Sequence, residues 1–238
     1  MAEVLAIIPA RGGSKGIRRK NLVDIEGVPL VVHSIRHALA ANRVTRVLVS
    51  TDDQEIAHVA LQAGAEVPFL RPSELAEDHV LDWPVFEHAL EFLEEHERYC
   101  PELIVHLRPT APYREPEWID SCVHLLETHL DADSVRSVSR VEQHPYRVFR
   151  IDENTGLLDP IMKHEHPRPY LLRRQDLPAM YLYNCVIDVS RYSTIREKRS
   201  MTGDHIFPYV MDSSDVLDID SQRDLEFARF VMDKRRMV

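Results

Sequence analysis

Two stretches of the chain carry residues whose types and spacing suit phosphate and metal chemistry. In PARGGSKGIRRKN, residues 9–21, two glycines and Ser14 let the backbone turn tightly and present N–H groups to an anion. Arg11, Lys15 and Lys20 bring positive charge to the same turn, which suits a triphosphate or a departing pyrophosphate. The segment contains neither GxxxxGK[ST] nor GxGxxG, so it is neither a P-loop nor a dinucleotide fingerprint. The plainer alternative is a glycine-rich surface turn with solvated basic residues. Further on, LDID places Asp218 and Asp220 at i and i+2. Along a strand both carboxylates point to one side, where they can share a hard cation such as Mg²⁺. Capping of the last helix by Asp220 or Ser221 would explain only one of the two aspartates. Asp52 and Asp53, at the end of a strand-like run, more simply cap the next helix. The 13 histidines show no metal-ligand spacing, and His144, His164 and His166 read as surface or interface groups. GxSxG is absent, so no hydrolase nucleophile stands out.

The elements that must position these groups alternate between strand and helix. Residues 4–8 are an uninterrupted apolar run, as a buried parallel strand would be. Pro29 opens a helix with Val31, Ile35, Ala38 and Leu39 along one face. Arg46–Ser50 reads as the second strand and residues 56–63 as the following helix. A helix over Asp82–Glu97 turns Val85, Ala89, Phe92 and Leu93 to the core, and residues 103–107 form another central strand. Ile119, Cys122, Val123 and Leu126 recur at helical spacing. The rhythm breaks at about residues 142–177, a stretch rich in Pro, His and Arg with the turn NTG, which reads as a projecting arm or hairpin. It resumes over residues 180–189 and closes on VLDID and a helix carrying Leu225, Ala228, Val231 and Met232. The expected fold is α/β, a mostly parallel sheet covered on both faces, in one domain spanning residues 1–238 with the arm inserted. ARGGSKG, LRPSELA, LRPTAPYR and DID are all expected at carboxyl ends of strands, where ligands bind in open α/β sheets.

Composition narrows the function. A formal net charge of −10 argues against a non-specific nucleic-acid or anionic-membrane binder, so the basic cluster at residues 11–20 reads as a local anion site. Cys100, Cys122 and Cys185 lack ligand spacing and read as reduced, mostly buried thiols. The chain opens without a cleavable signal and has no membrane-length apolar run, so a cytoplasmic protein is expected.

PARGGSKG followed by KN resembles the nucleotide-binding signature of the acylneuraminate cytidylyltransferases. The resemblance continues through LRPSELAED, RPTAPYR, RRQDLP and LDIDSQRDL in order, covering nearly the whole chain. It implies a Rossmann-like three-layer nucleotidyltransferase fold that uses CTP and Mg²⁺ to activate an acidic nine-carbon 2-keto sugar as its CMP derivative. By that resemblance Ala10, Arg11, Gly13, Ser14, Lys15 and Lys20 bind the nucleotide, with Lys15 on the α-phosphate, Arg11 on the triphosphate and Asn21 on the cytosine. Arg71 matches an arginine near the base, although an arginine capping a strand end would look the same. Asp82 stands where the family often has a serine on the nucleoside, and it serves equally as a helix N-cap.

Arg108, Pro109 and Thr110 match the wall of the sugar site. Relatives commonly have Gln at the position of Arg108, so the guanidinium either faces an acidic sugar or pairs with a nearby carboxylate. Arg174 and Gln175 match the family's RQ, with Arg174 stabilising charge on the sugar carboxylate or the transferred phosphate. Arg173 reads as a salt-bridge partner or a surface charge. Asn184 is retained on the sugar side, whereas Leu182 replaces an arginine and Cys185 a glycine. Asp218 and Asp220 match the metal pair. The resemblance further implies a homodimer embraced by the arm. The competing readings are the same chemistry with GTP or with a Kdo-like eight-carbon acid, and a non-catalytic nucleotide-binding module.

Overall fold

A computed structural model describes residues 2–162 and 165–236. Among them the order is β1 (Val4–Pro9), β2 (Asp24–Ile25), β3 (Val28–Pro29), α1 (Leu30–Ala40), β4 (Arg46–Ser50), α2 (Gln54–Gln62), α3 (Asp82–Glu97), β5 (Leu103–His106) and α4 (Pro116–Thr128). There follow β6 (Ser134–Arg140), β7 (Phe149–Ile151), β8 (Leu158–Pro160), β9 (Tyr181–Arg191), α5 (Tyr192–Arg196), β10 (Ile206–Met211) and α6 (Gln222–Arg236).

Six strands make the central sheet in the order β10-β6-β9-β5-β1-β4. All neighbours are parallel except β9, which runs antiparallel to β5 and β6. The apolar run of β1 is uninterrupted because each face packs on its own layer. Val4, Ala6 and Ile8 face the core under α1, α2 and α4, whereas Leu5 and Ile7 face α3 and α5. A third, smaller core joins Ile17, Ile25 and Leu30 to Leu217, Ile219, Leu225 and Ala228. That core fastens the phosphate-loop segment to the LDID segment and α6.

Several sequence readings need correction. DID is not a strand: after the 3-10 turn Ser213–Asp215 the chain is irregular. Ile219 N–H donates to the Thr110 carbonyl at 2.9 Å and its side chain is fully buried, so Asp218 and Asp220 still fall together on the open side. LRPSELA likewise leaves no strand; it follows a segment lying beside β4, with Glu66 bridging Leu48. Pro29 ends β3, and the helix begins one residue later. Leu39 is half-exposed, and Phe92 is only partly buried against its core. Cys122 is buried, Cys185 is half-buried and Cys100 is exposed.

Within the expected arm β7 and β8 pair as an antiparallel hairpin outside the central sheet, and its turn holds Gly156 at φ 70°. His144 is not a surface group. It is buried at the arm's base, with Nε2 3.0 Å from the Pro178 carbonyl and Nδ1 accepting the Tyr146 N–H. His166 accepts the Arg168 N–H on the arm, and His164 lies outside the described residues. Among the described residues no helix is long and apolar enough to cross a membrane.

Candidate active site

The phosphate-loop segment follows β1, and its backbone is held from behind. Ala10 is buried with its N–H on the Ser50 carbonyl, and Gly12 N–H donates to Asp52 Oδ1 at 2.9 Å. Asp53 caps α2 as expected, accepting from the Glu55 and Ile56 N–H groups, and also binds Arg19 at 2.9 Å. Gly13 has open space beside it, whereas Gly16 has none: a Cβ there would stand 2.2 Å from the Asp220 carbonyl oxygen. The backbone carrying the candidate metal aspartate therefore crosses directly over the loop, a contact only glycine permits.

Lys20 completes that junction, with Nζ donating to the Ile219 carbonyl and to Asp220 Oδ1, each at 2.9 Å. Asn21 is buried and donates from Nδ2 to the Arg11 carbonyl at 2.9 Å, so here it shapes the loop. Lys15 and Arg11 both reach Asp78, at 2.5 and 2.6 Å. The Lys15 ammonium, with Arg11, holds the Asp78 carboxyl below the usual range.

These groups line one cleft of about 580 Å³ that also takes in Ser14, Arg71, Asp82, Arg108, Pro109, Thr110 and Asp220. Arg71 lines the cleft, and its buried guanidinium bonds Ser50 at the end of β4, as an arginine capping a strand end would. Burial lowers its pKa to about 10, so it remains a cation at neutral pH. Asp218 is pushed up, first by partial desolvation and then by the charge of Asp220, against the relief of a hydrogen bond from Thr110. Two exposed aspartates two residues apart, one of them paired with Lys20, fit a divalent cation that uses one or two carboxylates and completes its shell with ligand oxygens. Among the described residues no group of three or more His, Cys, Asp or Glu side chains could hold a metal. The last helix is capped separately, by Ser221 and Asp224, whose side chains bind each other's N–H groups at 2.8 and 3.3 Å.

Arg108 answers the alternative left open by sequence. Nη1 donates to Asp188 Oδ2 at 2.8 Å and to the Tyr183 hydroxyl at 2.7 Å, and Nη2 donates to Asp82 Oδ2 at 2.6 Å. Burial disfavours its charge, but Asp188, Tyr183 and Asp82 hold its pKa above the ordinary range. Asp82 is therefore neither an N-cap (Leu81 holds that position) nor a free ribose acceptor; it is the outer partner of Arg108. Two of the residues that depart from the family's pattern thus pair with each other. Behind them His106 is fully buried, and burial, then Arg108, Arg136 and Arg114, keep it neutral.

The other sugar-side candidates fall outside the cleft. Asn184 is buried in an irregular stretch where β9 and β6 lose register; its Oδ1 accepts from Ser137 Oγ at 2.6 Å. Cys185 beside it holds φ 59°, the left-handed conformation that suits the glycine of the family's pattern. Arg174 and Gln175 are exposed on a 3-10 turn of the arm, with Arg174 donating weakly to the Val141 carbonyl at 3.4 Å. Arg173 pairs with Asp176, as expected. Asp52, read with Asp53 as a helix cap, instead holds the Gly12 N–H. Sequence reasoning missed Asp78, Asp188 and Tyr183, since an acid or a phenol carries no signal of which cation it will meet. Arg114 sits in a quoted motif yet is fully buried, bonding the Val186 and Ala111 carbonyls at 2.6 Å and stiffening the turn after β5.

A cationic turn held against a pair of aspartates beside an open α/β cleft is the arrangement of a nucleotidyl-transfer site. Comparison with known proteins agrees. The profile of the family described as "Cytidylyltransferase" matches residues 5–231. A CMP-N,N'-diacetyllegionaminic acid synthase of Campylobacter jejuni is 32% identical over 237 residues, 100% of this chain and 98% of that protein. A pseudaminic acid cytidylyltransferase of the same species is 32% identical over 95% of each chain. An N-acylneuraminate cytidylyltransferase of Escherichia coli is 30% identical over 98% of this chain and 53% of its own length. Among solved structures, a CTP complex of CMP:2-keto-3-deoxy-manno-octonic acid synthetase superposes with TM-score 0.72, covering 98% of this chain and 100% of that one; at 17% identity it speaks for the fold alone. The chain belongs to the cytidylyltransferase family.

Proposed function

We propose that the protein transfers CMP from CTP to an acidic nine-carbon 2-keto sugar of the nonulosonate class, releasing pyrophosphate. The observation that carries this reading is the junction of Gly16, Lys20, Ile219 and Asp220, which fixes the cationic turn against the aspartate pair. The anomeric hydroxyl of the sugar attacks the α-phosphorus in line; the P–O bond to the β-phosphate breaks and pyrophosphate carries off the electron pair. Lys15 neutralises the α-phosphate, and Arg11 and Lys20 hold the departing pyrophosphate. Asp218 and Asp220 hold Mg²⁺, which when bound supplies further neutralisation of the transferring phosphoryl oxygens.

On the sugar side Arg108 does not offer a free charge. Arg108 and Arg136 are matched by Asp82 and Asp188, so the wall presents a donor beside an acceptor. An acylamino substituent, with its carbonyl and N–H, answers such a wall better than a carboxylate does. That supports an N-acylated nonulosonate, in keeping with the names of the relatives. We assign Arg174 to the cleft of the partner subunit in a homodimer built through the arm, because it does not line the cleft of its own chain and donates instead to the Val141 carbonyl.

The test is pyrophosphate release with Mg²⁺ across CTP, GTP, UTP and ATP against several nonulosonic acids and Kdo. Release with CTP and a nonulosonate, reduced at least about 100-fold in Lys15→Ala and Asp218→Ala, is the expected result. Release only with GTP would overturn the base assignment, release only with Kdo the sugar class, and silence from folded protein the enzymatic reading.

A further inference from the structure

The two cations assigned to phosphate binding share one carboxylate. Arg11 Nη2 meets Asp78 Oδ1 at 2.6 Å and Lys15 Nζ meets Asp78 Oδ2 at 2.5 Å, each on its own oxygen, as two oxygens of one phosphate would receive them. Asp78 belongs to a segment, residues 73–81, that comes over the phosphate-loop turn. Arg11 Nη1 also donates to the Ala76 carbonyl at 3.2 Å, and Arg71 Nη1 to the Leu75 carbonyl at 3.4 Å. Leu75, Glu77, Asp78 and Val80 all line the cleft, so the segment is part of its wall. Glu77 is turned to His79 at 3.3 Å, which leaves Asp78 as the acid that reaches both cations.

This bridge contributes little to holding the fold. The Lys15 side chain is 81% exposed and that of Asp78 40%, and ion pairs so solvated add little stability. Nor can the same two cations bind Asp78 and a phosphate in one place. We propose that Asp78 is a positioning residue that occupies the phosphate subsite between turnovers. It keeps Arg11 and Lys15 in the geometry that two phosphate oxygens need, gives them up to the incoming triphosphate, and recaptures them as pyrophosphate leaves. The anion's affinity is then a difference between its own contacts and those of Asp78. The role rests on the nucleotidyl-transfer reading above.

Calorimetric titration of pyrophosphate into the intact protein, its Asp78→Asn and Asp78→Ala variants and Asp78→Glu tests it. Pyrophosphate is expected to bind the Asn and Ala variants about three- to tenfold more tightly than wild type, the margin two solvated ion pairs allow. Asp78→Glu is expected to stay near wild type. The KM for CTP should fall with the pyrophosphate dissociation constant while kcat does not rise, a split that a purely structural role would not give. Equal or weaker binding by the Asn and Ala variants, with wild type binding normally, overturns the role of Asp78 alone. Failure of pyrophosphate to bind wild type would overturn the nucleotidyl-transfer reading with it.

Discussion

Asp188 lies almost wholly out of solvent, and Arg108 is its closest cation. Removing one partner from a buried pair leaves the other charge uncompensated, which costs far more than the pair adds. Arg108→Gln is therefore expected to lower stability by about 2–4 kcal/mol in urea titration, the Tyr183 hydroxyl and Arg136 sparing the rest. Asp82→Ser removes only the outer, solvated partner and is expected to cost under about 1 kcal/mol. The reverse order would show that the pair is organised around Asp82. At this scale sequence showed residue types well and partners poorly. Arg108 and Asp82 were each visible as departures, but they lie 26 positions apart, and only the fold brings them to hydrogen-bond distance.

At the scale of elements, the pattern of apolar residues located the second strand and the long helix Asp82–Glu97 at their observed bounds, because both faces of each strand must be covered. The LDID segment was misread as a strand. Its alternation is genuine, since Ile219 is buried between two exposed aspartates, but no neighbouring strand pairs with it. Its place is set by a hydrogen bond to Thr110, the small core around Ile17, and the close crossing over Gly16. Gly16→Ala forces backbone apart at that crossing. It is expected to reduce turnover at least about tenfold while leaving the central sheet intact by circular dichroism. Unchanged turnover would show that the junction does not position the reacting groups.

The whole molecule leaves a large apolar surface on the arm. Ile151, Leu157, Leu158 and Ile161, on or beside the β7–β8 hairpin, and Leu171, on the turn Pro169–Leu171, are all more than half exposed. Exposed apolar residues gathered in this way mark an interaction surface. Ile151→Asp with Leu158→Asp is expected to give a monomer by light scattering; a dimer of unchanged size would remove the arm from the interface. Arg174 gives the proposed dimer a chemical reading. If it serves the partner's site, mixed Lys15→Ala and Arg174→Ala subunits, each inactive alone, regain about a quarter of wild-type activity, the share of complete sites in a random C₂ assortment. The arm was legible as a break in strand–helix rhythm, whereas the burial of His144 at its base was not, since it depends on a contact with Pro178, just before β9.

The central claim is tested most directly by following the α-phosphate. With CTP labelled at that position and a nonulosonic acid as acceptor, the label is expected in a sugar-linked CMP, with one pyrophosphate released per product and neither formed by Lys15→Ala or Asp218→Ala. Label that stays in CTP, or release of inorganic phosphate without a CMP-sugar, would contradict it.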